Sequence, residues 1–379
     1  MLTVGESCGL SNDGEAIILT YSLEHEIFRA MSYLPQFLKD GKTVCEKKKD
    51  AMLCYMADMS RNAVYNMKTA KQTIRYLALM GYDSLMLYTE DTYELPEYPH
   101  FGHMRGRFSK EELKEIDDYA YSYGIEVIPC IQTLAHLTTV LRWGGEYPFQ
   151  DTGDILLVDD DRTYAFVRAM FRVCRECFRS NRIDVGMDEA HMLGRGKFMD
   201  QHGYEPTPDI MIRHLNRVVE ICTEFGYHPM IWSDMFFRMA FNHVYRVREG
   251  EIPQNVIDMV PENLTLIYWD YYSMDSQIFT HMVDCHQKFH NPIAFAGGAW
   301  KWSGFAPSNK LSIKSTRMQL DVCEEKGLRD VIVTAWGDNG AEASQFSVLA
   351  SMLYFAERCY NAADDAQLES RAQMLWEIG

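Results

Sequence analysis

The stretch from Ile183 to His191 carries the residues with the clearest chemical potential. A largely apolar run, Ile183-Asp184-Val185-Gly186-Met187, ends at two adjacent carboxylates, Asp188 and Glu189. Two like charges this close raise the pKa of at least one carboxyl group, and a carboxyl group that stays protonated suits general acid catalysis. The pair therefore predicts proton-transfer chemistry at the end of a buried strand.

Polar and aromatic side chains also follow the other apolar runs of the chain. Tryptophan faces stack on the C–H surfaces of sugars, while carboxylates, arginine and amides hydrogen-bond to sugar hydroxyl groups. A phosphate pocket would be more basic. The set therefore predicts a carbohydrate pocket, with candidate residues Asp58, Arg61, Glu90, Asp91, Gln132, His136, Asp188, Glu189, Trp232, Asp234, Trp269, Asp270, Tyr271, Tyr272, Trp300, Trp302, Trp336 and Asp338.

The adjacency of the two acids argues against the usual way of cleaving a glycosidic bond. Most glycosidases place two carboxyl groups on either side of the bond, roughly 5 to 9.5 Å apart. Side chains at consecutive strand positions diverge, so Asp188 and Glu189 would address different atoms of one substrate from the same side. This geometry suggests that the substrate supplies its own nucleophile.

A repeating unit of strand, loop and amphipathic helix, with a period of roughly 40 residues, is expected to position these side chains. The apolar runs predict strands at 51–57, 84–88, 125–131, 183–187, 229–233, 264–269, 292–296 and 331–335. Eight strands close a TIM barrel, whose active residues gather at the C-terminal strand ends. An open doubly wound sheet fits the same rhythm, but no glycine-rich phosphate loop follows the first strand.

The prediction is therefore an α/β protein with a (β/α)8 TIM barrel at 50–362. An N-terminal extension or partial small domain at 1–49 precedes the barrel, and a C-terminal tail at 363–379 follows it. One predicted helix begins at a capping box formed by Ser109 and Glu112, and another begins at Thr207-Pro208.

The composition excludes several classes of partner. A formal net charge of −17 opposes binding to nucleic acid. No apolar run reaches membrane-spanning length, and residues 1–28 contain no Lys or Arg, so neither a membrane partner nor a leader is expected. The scattered cysteines, including Cys174 and Cys177 on one apolar helix stripe, favour buried reduced thiols. We expect a cytoplasmic protein without metal or cofactor, and its oligomeric state is not determined by the sequence.

Three ordered motifs resemble the family 20 glycoside hydrolases, the β-N-acetylhexosaminidases. They are Asp58-Met59-Ser60-Arg61, the run from Ile128 to His136, and Asp188-Glu189, which follow the first, third and fourth predicted strands. Trp232-Ser233-Asp234 and Trp336-Gly337-Asp338 extend the likeness, which covers about 50 to 345. The resemblance implies an exo-acting, retaining enzyme for terminal β-linked GlcNAc or GalNAc on a small oligosaccharide or glycoside.

The resemblance also implies roles for the two acids. Glu189 would protonate the glycosidic oxygen and later activate water. Asp188 would hold the N–H of the 2-acetamido group, so that its carbonyl oxygen attacks the anomeric carbon and forms an oxazolinium intermediate. Either Tyr271 or Tyr272 would bind that carbonyl oxygen.

Further roles follow from the same resemblance. Arg61 would bind the 3- and 4-hydroxyl groups and Asp338 another outer hydroxyl group. His136 would couple to the general acid together with an acid after the second strand, either Glu90 or Asp91. The aromatic side chains that would pack around the sugar are Trp232, Trp269 and Trp336, and Trp302 is a further candidate contact.

Some positions depart from the family pattern. Asn62 stands where many members have histidine, Cys130 where glutamate is common, and Ala135 where glycine is frequent. The tyrosine and acid that many members carry after the seventh strand are not evident around 297–302. These departures concern the outer hydroxyl contacts and the gluco or galacto preference, and they indicate a divergent branch.

Three alternatives remain open from the sequence. A barrel glycosidase could use Asp188 or Asp338 as a covalent nucleophile opposite Glu189. A sugar-binding barrel without catalysis would not need the paired acid. A metal-dependent hydrolase is disfavoured because the chain contains neither H-x-H nor H-E-x-x-H.

Overall fold

The computed structural model describes residues 1–338, 340–360 and 365–378, and a closed barrel of eight parallel strands lies at its centre. The strands of the described chain are β1 (Leu2–Val4), β2 (Cys8–Asn12), β3 (Ile17–Tyr21), β4 (Val44–Glu46), β5 (Met52–Asp58), β6 (Ser84–Tyr88), β7 (Glu126–Cys130), β8 (Arg182–Asp184), β9 (His228–Trp232), β10 (Thr265–Trp269), β11 (Ile293–Gly298) and β12 (Asp330–Ala335). The barrel order is β5 to β12 in sequence, and it closes between β12 and β5. The predicted (β/α)8 barrel is confirmed.

Helices surround the barrel. They are α1 (Glu26–Met31), α2 (Leu34–Asp40), α3 (Met67–Met80), α4 (Lys110–Tyr121), α5 (Thr138–Leu141), α6 (Asp161–Cys177), α7 (Lys197–His202), α8 (Thr207–Glu224), α9 (Asp234–Ala240), α10 (Gln254–Met259), α11 (Ser276–His286), α12 (Asn309–Lys326), α13 (Leu349–Tyr360) and α14 (Asp365–Ile378), with a 3-10 turn at Gln345–Val348. None of the helices in the described residues is long and apolar enough to cross a membrane.

Most of the barrel strands form because they are apolar runs that can be buried on both faces, as parallel sheets require. All seven residues of β5 are buried, for example. Inward side chains such as Met56, Met86 and Ile128 fill the barrel, while outward ones pack under the helices. Helix starts follow local signals, and Ser109 and Glu112 form the predicted capping box at α4.

The fourth barrel strand is shorter than predicted. It ends at Asp184 and pairs with β7 only through Cys130 and Asp184. Gly186 and Met187 both have positive φ, so the chain leaves the sheet there and turns before it reaches the acids. This early exit decides where Asp188 and Glu189 point.

Residues 1–49 contain a four-stranded sheet in the order β1-β3-β2-β4, together with α1 and α2. The predicted tail is helical from Asp365 to Ile378 and packs against this sheet. Buried Arg29 pairs with Glu46 at 2.7 Å and with Glu357 of α13 at 3.0 Å. Arg371 of α14 also pairs with Glu357, at 3.2 Å, so one buried ion cluster links both chain ends to the barrel.

Candidate active site

A cavity of about 180 Å³ lies at the C-terminal ends of the barrel strands. Its lining combines carboxylates, a histidine, an arginine and aromatic rings, as the sequence predicts for a carbohydrate pocket. The lining residues are Arg61, His136, Asp188, Glu189, Trp232, Trp269, Tyr271, Tyr272, Trp302, Trp336 and Asp338.

A tight turn after β8 presents the two acids. The Asp184 carboxylate accepts the Gly186 backbone N–H at 2.9 Å, and the Gln132 side-chain oxygen accepts the Met187 N–H at 3.1 Å. A Cβ on Gly186 would lie 2.1 Å from that Gln132 oxygen, so only glycine fits. Asp188 and Glu189 follow this turn directly, and both side chains line the cavity.

Asp188 is held in its charged form. Its Oδ1 accepts a 2.8 Å hydrogen bond from Gln132 Nε2, and its Oδ2 lies 3.1 Å from His136 Nε2. Burial would raise the pKa of Asp188, but the charge of His136 and the Gln132 hydrogen bond outweigh it and lower the pKa. The His136 N–H is not in line with Oδ2, so this contact is an ion pair more than a linear hydrogen bond.

His136 carries the complementary charge. Burial alone would lower the pKa of His136, but the Asp188 carboxylate outweighs burial and raises the pKa to about 9. Near neutral pH the imidazolium therefore faces the Asp188 carboxylate. The same Nε2 lies 3.7 Å from Glu189 Oε2, so His136 stands between the two acids.

Glu189 is the more accessible acid, with 41% of its side chain exposed against 13% for Asp188. Its Oε1 lies 3.5 Å from Arg238 Nη2, and its backbone N–H donates to Asp234 Oδ2 at 3.2 Å. Arg238 also donates from Nε to that Asp234 oxygen at 2.9 Å. Burial, followed by the Asp188 charge, raises the pKa of Asp234 to about 7.

Another buried carboxyl group lies beneath the acids. Asp184 Oδ2 accepts a hydrogen bond from Cys130 Sγ at 3.2 Å. Burial raises the pKa of Asp184 to about 8, although the Gly186 and Cys130 hydrogen bonds partly offset it. Asp184 is therefore largely uncharged near neutral pH, which limits the negative charge next to Asp188.

Aromatic rings wall the cavity. The ring of Tyr271 stacks on that of Trp269 at 5.3 Å, and its hydroxyl oxygen accepts the Trp336 indole N–H at 2.9 Å. Tyr271 is 6% exposed and Tyr272 is 44% exposed, so Tyr271 lies inside and Tyr272 at the rim. Buried Trp232 packs beside Trp336, with 5.7 Å between ring centres.

Arg61 and Asp338 mark the other side of the cavity. Arg61 Nη1 pairs with Asp58 Oδ2 at 2.9 Å, and Nη2 lies 3.3 Å from Glu90 Oε1. The Gly337 N–H donates to the same Asp58 oxygen at 2.8 Å, which ties the loops after β5 and β12 together. These contacts fix the guanidinium in a charged, oriented state.

Glu90 and Asp91 are buried but are not among the described residues that line the cavity. Asp91 pairs with Arg105 at 3.2 Å, outside the cavity wall. Glu90 accepts a hydrogen bond from Tyr88, whose hydroxyl oxygen accepts one from Gln132, and Gln132 donates to Asp188. The acid after β6 is thus connected to Asp188 through Tyr88 and Gln132, whereas the resemblance implied that this acid couples, together with His136, to the general acid Glu189.

Several residues at the cavity hold strained backbone conformations. Positive φ angles occur at Glu90 (43°), His136 (57°), Met187 (68°), Glu189 (51°) and Asp338 (32°). Non-glycine residues rarely adopt such angles, and clusters of them are typical of functional sites. The surrounding hydrogen bonds and ion pairs hold these residues in place.

The three ionisable groups could also be considered as metal ligands. Ligand atoms of His136, Asp188 and Glu189 lie within 4.8 Å of one another. A ligating imidazole must be neutral, but the pKa of His136 is about 9 because Asp188 favours its protonated form. The arrangement therefore fits proton transfer better than metal binding.

Two residues near the acids, Arg238 and Asp184, were not predicted from the sequence to belong to the site. Arg238 lies on α9, four residues after Asp234, and this i, i+4 spacing of opposite charges was the available signal. Asp184 sits inside an apolar run as an isolated acid, and a buried carboxyl group of this kind is itself a sign of function. Both side chains lie next to the acids without lining the cavity.

Comparison with known proteins agrees with this geometry. The profile of the glycosyl hydrolase family 20 catalytic domain matches residues 53–283. Hexosaminidase D of Bos taurus is 24% identical over 305 residues, covering 72% of this chain and 80% of that protein. Hexosaminidase D of Homo sapiens is 23% identical over 317 residues, covering 76% of this chain and 61% of that protein.

Among solved structures, the fold is similar to that of the GH20 exo β-N-acetylglucosaminidase from Vibrio harveyi, in complex with N-acetylglucosamine. The TM-score is 0.75 at 12% identity, and the match covers 100% of this chain and 68% of that one. At this identity the likeness concerns the fold. The profile match extends over more than half of the sequence, and the chain belongs to glycosyl hydrolase family 20.

Proposed function

We propose that this enzyme removes terminal β-linked N-acetylhexosamine from the non-reducing end of glycosides, with retention of anomeric configuration and through the substrate's own acetamido group. The observation that carries the proposal is the different state of two adjacent acids at one cavity. Asp188 is buried and held charged by His136 and Gln132, while Glu189 stands at the more open side.

Glu189 is the general acid and base in this proposal. It donates its proton to the glycosidic oxygen as the bond from that oxygen to the anomeric carbon breaks. In the second half of the reaction it accepts a proton from water, which attacks the same carbon. Its position between His136 and Arg238 keeps the carboxyl group at the mouth of the cavity.

Asp188 orients the nucleophile. Its carboxylate accepts the N–H of the 2-acetamido group, so that the carbonyl oxygen forms a bond to the anomeric carbon while the leaving group departs. The resulting oxazolinium ion carries positive charge next to Asp188, which stabilises it electrostatically. The imidazolium of His136 favours the charged carboxylate throughout.

Tyr271 is the proposed partner of the acetamido carbonyl oxygen. Its hydroxyl oxygen already accepts the Trp336 indole N–H, so its own hydrogen serves as a donor. Rim residue Tyr272 is too exposed for this role. Aromatic walls at Trp232, Trp269 and Trp336 would enclose the sugar and its methyl group, with Trp302 as a further contact.

Arg61 and Asp338 would bind the outer hydroxyl groups of the terminal sugar. Arg61 is fixed by Asp58 and Glu90, so it presents a rigid donor to neighbouring hydroxyl groups. The small cavity suits one terminal sugar, which corresponds to exo action. No cofactor takes part in these steps.

A reducing compartment, the cytoplasm, is the proposed location. The ten cysteines are free thiols, and nine of them are buried. Buried thiols at such density are typical of proteins that do not rely on disulfides. The predicted pair Cys174 and Cys177 lies in the core between α6 and its neighbours.

The decisive experiment compares two aryl β-glycosides that differ only at C2, one with an acetamido group and one with a hydroxyl group. We expect cleavage of the acetamido glycoside alone, and a thiazoline that mimics the oxazolinium ion should inhibit strongly. Asp188→Asn should abolish this selectivity together with most of the turnover. Asp118→Asn, on the exposed face of α4, is the control and should behave as wild type.

Comparable cleavage of both glycosides would contradict the proposal, because it would mean that the protein provides the nucleophile. If neither glycoside is cleaved, the proposal that this protein is a glycosidase is contradicted. Both outcomes are read on the same purified protein, with circular dichroism as the measure of folding.

A further inference from the structure

A second depression adjoins the cavity and is lined by three arginines. This arginine groove comprises Arg238, Arg246, Arg248, Trp269, Tyr272 and Met274 as its main lining, and its volume is about 820 Å³. Trp269 and Tyr272 line both the cavity and the groove, so the two are continuous. The groove is much larger than the cavity of about 180 Å³.

The groove lies on the side of the general acid. Arg238, which lines it, is 3.5 Å from the Glu189 carboxylate. Arg61 and Asp338, in contrast, belong to the cavity alone. Because the glycosidic oxygen must face Glu189, the part of the substrate beyond that oxygen extends into the groove.

The groove lining has more basic than acidic side chains, although the chain has a net charge of −17. Its lining contains three arginines and one carboxylate, Asp275, which lies 3.3 Å from Arg248. Arg246 lies 3.5 Å from Asp270, and Arg238 pairs with Asp234 at 2.9 Å and with Glu189 at 3.5 Å, so each of the three arginines has a carboxylate partner. Asp270 is fully buried, so it lies behind the Arg246 guanidinium group. The side chains of Arg246 and Arg248 are 39% and 68% exposed, against 16% for Arg238.

Exposed non-polar surface accompanies the charges. Tyr272 and Met274 are 44% and 41% exposed. The Arg246 guanidinium lies 5.0 Å from the centre of the Tyr272 ring, which holds both groups side by side. A flat ring next to guanidinium groups is suited to a sugar that carries a carboxylate, since the ring can take the sugar face and arginine the acid.

We propose that the arginine groove binds the leaving part of the substrate and selects a uronic acid there. The substrate class is then N-acetylhexosamine β-linked to an acidic sugar, and this inference rests on the hexosaminidase activity proposed above. Arg246 and Arg248 determine specificity by contacting the carboxylate, whereas the reacting atoms remain with Asp188 and Glu189.

The test uses two disaccharides with the same linkage, N-acetylhexosamine on glucuronic acid and N-acetylhexosamine on glucose. They differ by a carboxylate in place of a hydroxymethyl group. We expect kcat/KM for the acidic disaccharide to exceed that for the neutral one about two- to fivefold at low salt, given the strength of partly exposed ion pairs. The ratio should fall as ionic strength rises.

Arg246→Gln combined with Arg248→Gln should bring the ratio close to one. Arg248→Gln alone, at a side chain that is 68% exposed, should lower it without risk to folding. The control is Arg217→Gln on the outer face of α8, which should keep the wild-type ratio. The ratio is insensitive to the amount of active protein, so partial loss of folding does not imitate the effect.

The outcomes separate the two proposals. A wild-type ratio near one, with cleavage of the aryl acetamido glycoside intact, overturns the groove proposal and leaves the hexosaminidase proposal standing. A high ratio that survives both arginine substitutions also overturns it. Failure to cleave the aryl acetamido glycoside overturns both.

Discussion

Replacing Asp188 by asparagine should release the proton of His136. The pKa of His136 is raised from 6.5 to about 9 against the effect of burial, and the Asp188 carboxylate 3.1 Å away is the main cause. This rise corresponds to roughly 3 kcal/mol, at about 1.4 kcal/mol for each tenfold change. Once the carboxylate is gone, burial dominates, and the pKa of His136 should fall below 6.5.

The assay is an NMR titration of the histidine ring signals between pH 5 and pH 10. The signal of His136 is assigned among the twelve histidines by its absence in His136→Gln. Glu189→Gln is the matched control, because it removes the other carboxylate, 3.7 Å from the same nitrogen, and should change the pKa much less. If His136 still titrates near pH 9 in Asp188→Asn, or if both variants shift its pKa equally, Asp188 is not the main cause of the raised pKa.

Three other expectations concern catalysis and stability. Glu189→Gln should lower kcat/KM by about 10²- to 10⁴-fold on glycosides with poor leaving groups and less on activated aryl glycosides; equal losses on both would contradict its role as the acid. Burial raises the pKa of Asp184 from 3.8 to about 8 in the folded protein. The contribution of protonated Asp184 to the free energy of unfolding is therefore complete below pH 4 and is lost as pH rises through 8. Urea titrations of wild type and of Asp184→Asn between pH 5 and pH 7 measure this contribution. The free energy of unfolding should fall with pH by about 1.4 kcal/mol more per pH unit in wild type than in the variant. Parallel pH dependences of the two proteins would show that the pKa of Asp184 is not raised. Arg29→Met leaves the buried carboxylates of Glu46 and Glu357 short of a cation and should cost about 3–5 kcal/mol in the same measurement, whereas a neutral effect would show that the cluster is dispensable.

Most barrel strands could be predicted from the sequence because parallel strands are buried on both faces and are therefore apolar runs. Strands such as β6 and β12 read as apolar runs, since helices and the barrel interior cover both faces. β8 is the exception. Its apolar run continues to Met187, but positive φ at Gly186 and Met187 ends the strand at Asp184, and hydrophobicity alone cannot show that.

The chain ends were less predictable for another physical reason. β1 is only three residues long, and its apolar residues Leu2 and Val4 are exposed, so burial gives no signal for this strand. Within residues 366–375, whose burial the structure describes, the helix at Asp365–Ile378 buries Arg371 and Leu375, and its apolar periodicity is weak. Its contacts include Glu357 of α13 and residues more than 300 positions earlier, such as Ser32, and the latter depend on the completed fold.

The composition of the cavity was predictable, but its internal assignments were not. Residues after parallel strands must converge at one edge, so eleven candidates meet at the cavity. The choice between Tyr271 and Tyr272 depends on which of the two rings faces the cavity. Both residues lie in a loop, where the sequence has no periodic pattern that indicates the direction of a side chain. Likewise, Glu90 and Asp91 differ only in whether Arg61 or Arg105 lies within reach.

The left-handed backbone at Glu90, His136, Glu189 and Asp338 has a consequence for selecting more stable variants. Each such non-glycine residue costs about 1 kcal/mol or more relative to glycine, which adopts positive φ freely. A library screened for heat resistance alone would therefore enrich glycine at Glu189 and Asp338, whereas the ion pairs of Glu90 with Arg61 and of His136 with Asp188 oppose glycine at the other two positions. Every such gain would remove an ionisable side chain from the site, so heat resistance and turnover must be selected together in this barrel.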